Sequence, residues 1–271
     1  MQEITIKTSG VITFWTNSAS NRSKLLEALK AEGLERYAPP KKTISEAAKE
    51  VAIKASKDMG SSADAIFPLK GRAGFECVHI TRGDKKNQYS QEFYFTIADN
   101  GINETGGKVY PAWRLNNMLI EEMLMVTGRA IGAGLVSAAR DMEGVCLRKN
   151  GGLYRIPEEH VDAWRKLVAI FEEHSNTTVS AGRMEVTPST IKVVCESFKA
   201  DVQSAIDAIR EDLAENNQRT SKYFKNRMLE ALKMEAQAKH LEDELQVNLN
   251  DMATAITGLQ SELATLAAVV A

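Results

Sequence analysis

Leu245-Gln-Val-Asn-Leu249-Asn-Asp-Met252-Ala-Thr-Ala-Ile256-Thr-Gly-Leu259-Gln-Ser-Glu-Leu263-Ala-Thr-Leu266-Ala-Ala-Val-Val270 places a large apolar residue every three or four positions. That spacing keeps the side chains on one side of a helix, because seven residues nearly close two turns. The outward positions Ala253, Thr254, Thr257, Gln260, Ser261 and Thr265 are small or polar. The seam of Leu245, Leu249, Met252, Ile256, Leu259, Leu263 and Leu266 is therefore the chain's leading candidate interaction surface, with no mate apparent elsewhere in the sequence.

The seam can be followed backwards through Phe224, Met228, Ala231, Ala238 and Leu241. Two consecutive steps of four, Leu241 to Leu245 to Leu249, insert a stutter that locally unwinds a supercoil. Ile191, Cys195, Phe198, Val202, Ala205, Ile209 and Leu213 form a second seam upstream. Between the two lies the polar run Asn216-Asn217-Gln218-Arg219-Thr220-Ser221, with Thr220 or Ser221 available as an N-cap. The reading adopted is two antiparallel helices joined by a short turn; the rival is one uninterrupted rod, since no Gly or Pro forces a break. At ~1.5 Å per residue the second arm reaches ~70 Å if unbroken. It then folds back near residues 247–251, packs on the rest of the chain, or finds a partner.

A chain of 271 residues can bury a sizeable core in one large or two modest domains. We expect an α+β protein, with a mixed domain over residues 1–180 and a helical hairpin or coiled-coil arm over 187–271. A net charge of −2 argues against a general electrostatic role on DNA or RNA. Cys77, Cys146 and Cys195 are too far apart for a metal knuckle or a disulfide framework, which fits a reducing compartment. The start, Met1-Gln2-Glu3-Ile4-Thr5, lacks a signal-peptide pattern, and no run of eighteen apolar residues exists. The expectation is a soluble cytoplasmic protein with no membrane contact.

Val11–Trp15 is β-branched and aromatic and reads as a strand, beginning as early as Ile4. Leu25, Leu26 and Leu29 mark a short helix that Gly33 ends in a left-handed cap. Thr43-Ile44-Ser45-Glu46 is a capping box, opening a helix with Ala47, Val51 and Ala55 on one face. Phe75–Thr81 and Tyr89–Ala98 form a hairpin across the polar connector 82–87, and 99–108, rich in Gly and Asn, reads as a loop. Residues 115–141 are mostly helical, although Gly128, Gly132 and Gly134 each cost ~1 kcal/mol in a helix; they mark a kink or a close backbone approach.

The hairpin Val145-Cys-Leu-Arg-Lys-Asn-Gly-Gly-Leu-Tyr-Arg-Ile156 admits two turns. With Asn150-Gly151 at the corners, Leu147 faces Tyr154, Cys146 faces Arg155 and Val145 faces Ile156. With Gly151-Gly152, Lys149 faces Tyr154 and Arg148 opposes Arg155, a like-charge pair. The first register is preferred, and Asn-Gly suits a type I′ turn. Pro157 then starts a helix with Glu158 and Glu159 near its positive end, and Val161, Trp164, Val168 and Phe171 give that helix its buried face.

Arg148, Gly151, Gly152, Tyr154 and Pro157, in the pattern R-x-x-G-G-x-Y-x-x-P ahead of long C-terminal helices, resemble an uncharacterised family of bacterial and phage proteins. The opening Gly10-Val-Ile-Thr-Phe-Trp, the Leu25–Leu29 helix and Pro39 are similar to that family's start. The resemblance implies a phage or mobile-element setting and carries no known activity.

Chemistry-bearing residues are sparse. His79, His160, His174 and His240 have no partner at metal-ligand spacing, so no metal and no cofactor is expected. Glu158-Glu159-His160 reads as a solvated helix start, and Cys146 as a small strand residue although Arg148 and Arg155 lie near it. Gly71-Arg72-Ala73-Gly74 lacks the P-loop lysine pattern. Arg82, Lys85, Lys86 and Tyr89 form a solvated tip, or a small nucleic-acid contact. The leading expectation is a non-catalytic scaffold, adaptor or assembly protein that engages itself or a partner through its C-terminal helices. The alternative is a nucleic-acid-associated accessory protein using the hairpin loops. An enzyme comes third and would require distant residues to converge.

Overall fold

A computed structural model describes residues 8–58, 65–81, 87–98, 101–107, 111–148, 152–215 and 220–270. In chain order they form β1 (Thr8–Asn17), β2 (Ser20–Asn21), α1 (Arg22–Ala31), α2 (Ile44–Asp58), β3 (Ala65–Pro68), β4 (Gly74–Thr81), β5 (Gln88–Ala98), β6 (Gly101–Gly107), α3 (Ala112–Leu124) and β7 (Met125–Val126). Then come α4 (Gly128–Asp141), β8 (Val145–Cys146), β9 (Leu153–Ile156), α5 (Val161–His174), β10 (Thr177–Glu185), α6 (Pro188–Glu215), α7 (Ser221–Leu245) and α8 (Asn250–Val270). Most strands precede the long C-terminal helices, so the fold is α+β. Among the described residues no helix is long and apolar enough to cross a membrane. The chain forms two compact units: Asn17–Gly134 with Ala169–Thr177, and Met1–Thr16 with Leu135–Val168 and Thr178–Ala271. This grouping does not follow the boundary drawn at 180–187, because strand pairing joins residues far apart in the chain.

In the first of these units, β3-β4-β5-β6 form an antiparallel sheet. Its core joins Phe75, Cys77, Phe93 and Phe95 to Ala47, Val51 and Ala55 of α2 and to Leu115 and Leu119 of α3. The alanines of α2 let its backbone lie close to the sheet, so its short side chains are fully covered. The capping box is formed: the Thr43 N–H donates to Glu46 Oε2 at 2.7 Å, and the Glu46 N–H to Thr43 Oγ1 at 3.2 Å. Gly33 takes φ +68° after α1, and Leu34 donates to Leu29 O at 2.8 Å, as that cap requires. Burial pushes the Cys77 thiol up to about 12, so it is an inert core residue.

Two expectations in this unit are corrected. Residues 101–107, read as loop, are strand β6 on the edge of the sheet, because the glycines serve close contact: a Cβ on Gly106 would lie 2.3 Å from the Tyr94 ring. The helical stretch 115–141 is broken into α3 and α4 by Met125–Val126, which pairs with Ser20–Asn21. Thr127 Oγ1 then accepts from the Ala130 N–H at 3.2 Å and restarts the helix. Gly128 and Gly134 admit neighbouring backbone, since a Cβ on either would fall within 2.5 Å of Asn17 O or Tyr37 O. The basic tip 82–86 lies outside the described residues.

In the other unit the sheet order is β10-β1-β9-β8. β1 and β9 pair with Val11 opposite Ile156 and Thr13 opposite Tyr154. Gly10, at φ +98°, passes so near Ile156 O that a Cβ would stand 1.9 Å from it; its N–H donates to Glu158 Oε2 at 3.0 Å. The hairpin register is one residue off the preferred one: Val145 opposes Arg155 and Cys146 opposes Tyr154. The Leu147 N–H donates to Leu153 O at 2.8 Å, which leaves five residues between the bonded pair and rules out a two-residue Asn150-Gly151 turn. The reason is the third strand. β9 is central and must match β1 as well as β8, so a register chosen from two strands alone misses the deciding partner. Residues 149–151 lie outside the described ones.

Candidate functional site

The C-terminal helices run up, down and up. Arg210 Nε donates to Glu262 Oε2 at 3.1 Å and Lys199 Nζ to Asp251 Oδ2 at 2.7 Å, so α6 and α8 are parallel. Thr220 caps α7, accepting from the Tyr223 N–H at 3.4 Å. The stutter at Leu241–Leu245–Leu249 is where the second arm turns back. Gln246 takes the left-handed conformation at φ 54°, and Glu242 Oε1 accepts the Leu249 N–H at 2.5 Å.

This turn overturns the expectation that the last seam lacks a mate. Leu245, Leu249, Ile256, Leu259 and Leu263 are buried with Val194, Phe198, Val202, Ile206 and Ile209 of α6 and Phe224, Ala231 and Leu241 of α7. Met252 is partly buried, while Leu266 is 40% exposed. Each helix offers an apolar stripe at three-to-four spacing, and folding back lets all three close on one core. Where the stripe ends, Leu213, Ala214 and Leu266 line an open groove of about 650 Å³ beside the Arg210–Glu262 pair.

A second stripe of α7 is polar and went unread in the sequence. Lys233, Gln237, His240 and Glu244 recur at steps of four, three and four on the face toward α4, β8 and β9. Lys233 Nζ meets Asp141 Oδ1 at 3.3 Å. Gln237 Nε2 donates to Glu143 O at 3.1 Å and to Gly144 O at 3.3 Å. His240 Nδ1 lies 3.7 Å from Glu143 Oε2 and 3.9 Å from Glu159 Oε1, and its Nε2 lies 3.4 Å from Glu244 Oε2. Glu244 in turn pairs with Arg155, whose side chain is wholly buried and donates from Nε and Nη2 to Ser9 O at 3.1 and 2.9 Å.

One position on this face has unfavourable backbone geometry. Glu143 adopts φ 55° at the end of α4, where glycine is the usual residue. A left-handed non-glycine residue costs roughly 1 kcal/mol and directs attention to its side chain. Here Glu143, Glu159 and His240 each offer an atom within 4.8 Å of the others, a grouping able to hold a metal ion. No histidine has a partner at metal-ligand spacing along the chain, but the fold brings His240 beside two carboxylates. The three ligand positions come from a helix end, a 3-10 turn and a distant helix, so linear spacing could not reveal them. The legible trace was polar residues at heptad spacing on a long helix.

The other signature residues belong to the β8–β9 hairpin and the turn after it. Tyr154 is buried, stacked on Trp15, and burial pushes its phenol well above the ordinary value. Pro157 precedes the 3-10 turn Glu158–His160, while Arg148 and Gly152 are exposed and Gly151 lies outside the described residues. The Cys146 thiol donates to Arg148 O at 3.1 Å, and the apolar hollow of about 160 Å³ bounded by Ile12, Leu147, Met184 and Val194 does not include it.

No curated protein and no solved structure matches the chain. Residues 122–271, more than half of the sequence and including the whole polar stripe, match a family of unknown function (DUF6744), and the chain belongs to that family.

Proposed function

We propose that the protein is a non-catalytic assembly protein: a scaffold or adaptor of a bacterial or phage system that holds a protein partner against its helices in the cytoplasm. The observation that carries this reading is a helix apolar on two faces. On α3, Leu115 and Leu119 are buried in the core, while Trp113, Ile120 and Leu124 are 66%, 60% and 43% exposed. The outward three are seven and four residues apart, so they share one side of the helix. An amphipathic helix needs one cover, whereas this one presents a second stripe to be covered. Trp is also among the residue types that dominate interface energies. The coiled-coil-like arm contributes what its filled core leaves over: Leu229 and Leu232 on α7, and Leu266 at the terminal groove.

The test is affinity capture from the native host with three baits: the full chain, a Trp113→Ser/Ile120→Ser/Leu124→Ser variant, and a Leu229→Ser/Leu232→Ser/Leu266→Ser variant. Light scattering on each bait at micromolar concentration reports self-association. The expected result is a defined partner, or a dimer, that the α3 variant loses while its circular dichroism is unchanged. An α3 variant that keeps every co-purifying protein, from a chain that is monomeric, would overturn the reading.

A further inference from the structure

We propose that Glu143, Glu159 and His240 bind one divalent first-row transition-metal ion, zinc being the reference case, and that the ion clasps α7 to the α4–β8 turn and to the 3-10 turn that follows β9. The distances favour an ion over direct contacts. His240 Nδ1 stands 3.7 Å from Glu143 Oε2 and 3.9 Å from Glu159 Oε1, beyond hydrogen-bond range. Ligands about 2.0 Å from a tetrahedral centre lie about 3.3 Å apart, so these gaps need only a small contraction around an ion.

Two further observations point the same way. Glu143 Oε2 is screened from solvent and hydrogen-bonds nothing in the protein. An unpaired carboxylate oxygen out of water is costly, and a bound cation supplies the missing partner. The imidazole is also arranged as metal-binding histidines are. Nδ1 faces the two carboxylates, and Nε2 faces Glu244, itself fixed by buried Arg155. A carboxylate behind the non-ligating nitrogen sets the tautomer and raises ligand basicity.

Charge agrees as well. Three carboxylates, Glu143, Glu159 and Glu244, surround His240, and of these Glu244 is paired with the Arg155 guanidinium, while Lys233 is engaged by Asp141 and Glu158 by the Gly10 N–H. One imidazole with two carboxylates suits zinc, and a hard-oxygen ion such as magnesium gains little from the imidazole. Glu159 is more than half exposed, which gives the ion an entry path and leaves coordination positions for water. His160 Nε2, 3.4 Å from Glu159 Oε1, borders that open side.

The full chain, stripped with a chelator, is titrated with zinc alone and separately with magnesium, by calorimetry and thermal melting. We expect one zinc per chain, magnesium at least about a hundredfold weaker, and a melting temperature raised by about 5 °C or more at a hundredfold excess over Kd. Glu143→Gln, Glu159→Gln and His240→Gln each weaken zinc at least about tenfold, while Cys146→Ser and Cys195→Ser leave it unchanged. Glu159 is exposed, so its variant keeps the fold, and circular dichroism verifies this for all. The proposal is overturned by absence of saturable zinc binding, by loss of binding in a cysteine variant, or by undiminished binding in a folded Glu159→Gln/His240→Gln double variant.

Discussion

Trp15 lies flat on Tyr154 across the β1–β9 pair, with ring centroids 5.3 Å apart and 14° between the planes. Thr13 is the direct partner of Tyr154, so Trp15 meets it diagonally, two residues along the same strand face. Trp164 adds a tilted contact at 5.8 Å. Trp15→Ala should cost about 2–3 kcal/mol, because the ring is only partly buried and its stacking is lost with its area. Tyr154→Phe keeps the stack and should cost no more than about 1 kcal/mol. Urea unfolding followed by far-ultraviolet circular dichroism measures both.

Arg155 and Glu244 form a pair whose joint removal should cost less than the sum of the two separate removals. Arg155→Met leaves Glu244 without its partner, and Glu244→Gln leaves a buried guanidinium uncompensated. Each single change should destabilise by about 3 kcal/mol. The double variant should fall short of the sum by about 1–2 kcal/mol, a coupling that a double-mutant cycle reads directly.

Glu122 is 5% exposed and takes Lys42 at 2.8 Å on one oxygen and Lys54 on the other. Burial opposes its ionisation, but the two lysine hydrogen bonds outweigh burial and hold the carboxyl below its ordinary 4.5. A lowered folded value means stability that is complete above 4.5 and is lost as pH falls through the folded value. Glu122→Gln should therefore cost about 2 kcal/mol at pH 7 and flatten the acid limb of a stability-against-pH curve. An unchanged acid limb would show that the pair contributes nothing to acid lability.

Gln246 occupies the left-handed position that turns α7 into α8, at φ 54°. Glycine accepts that conformation without a Cβ penalty, so Gln246→Gly should stabilise by about 0.5–1 kcal/mol. Only an exposed side-chain bond to Asp243 O, at 2.7 Å, is given up. Glu143→Gly should gain similarly in metal-free protein but lose the zinc-dependent rise in melting temperature.

What could be read from the sequence followed the range of the interactions. The Thr43–Glu46 box and the Gly33 cap are complete within a few residues, so their geometry follows from local chemistry. The apolar period of Leu245–Leu266 is local too, but its mates on α6 are distant in the chain, so the period alone leaves the seam without a partner. The β8–β9 register depended on β1, more than a hundred residues earlier. Glycine misled in residues 101–107 because it marks close packing as readily as a loop. His240, Glu143 and Glu159 meet only after three segments dock, a fact no spacing encodes.

Because Thr13 must wait for Tyr154, β1 leaves the ribosome about 140 residues before its partner strand exists. At about 5–20 residues per second, that is roughly 7–28 s of translation with a strand edge unpaired. Residues 17–134, the larger part of one unit, are made in that interval, but its last segment, Ala169–Thr177, follows β9, so neither unit is complete before β1 meets its partner. The same dependence bears on cloning. A fragment trimmed to the family match at 122–271 removes the strand between β9 and β10 and bares both edges to aggregation. Expression of the shorter piece should fail where the full chain succeeds, and supplying residues 8–17 as a separate peptide should restore part of its solubility.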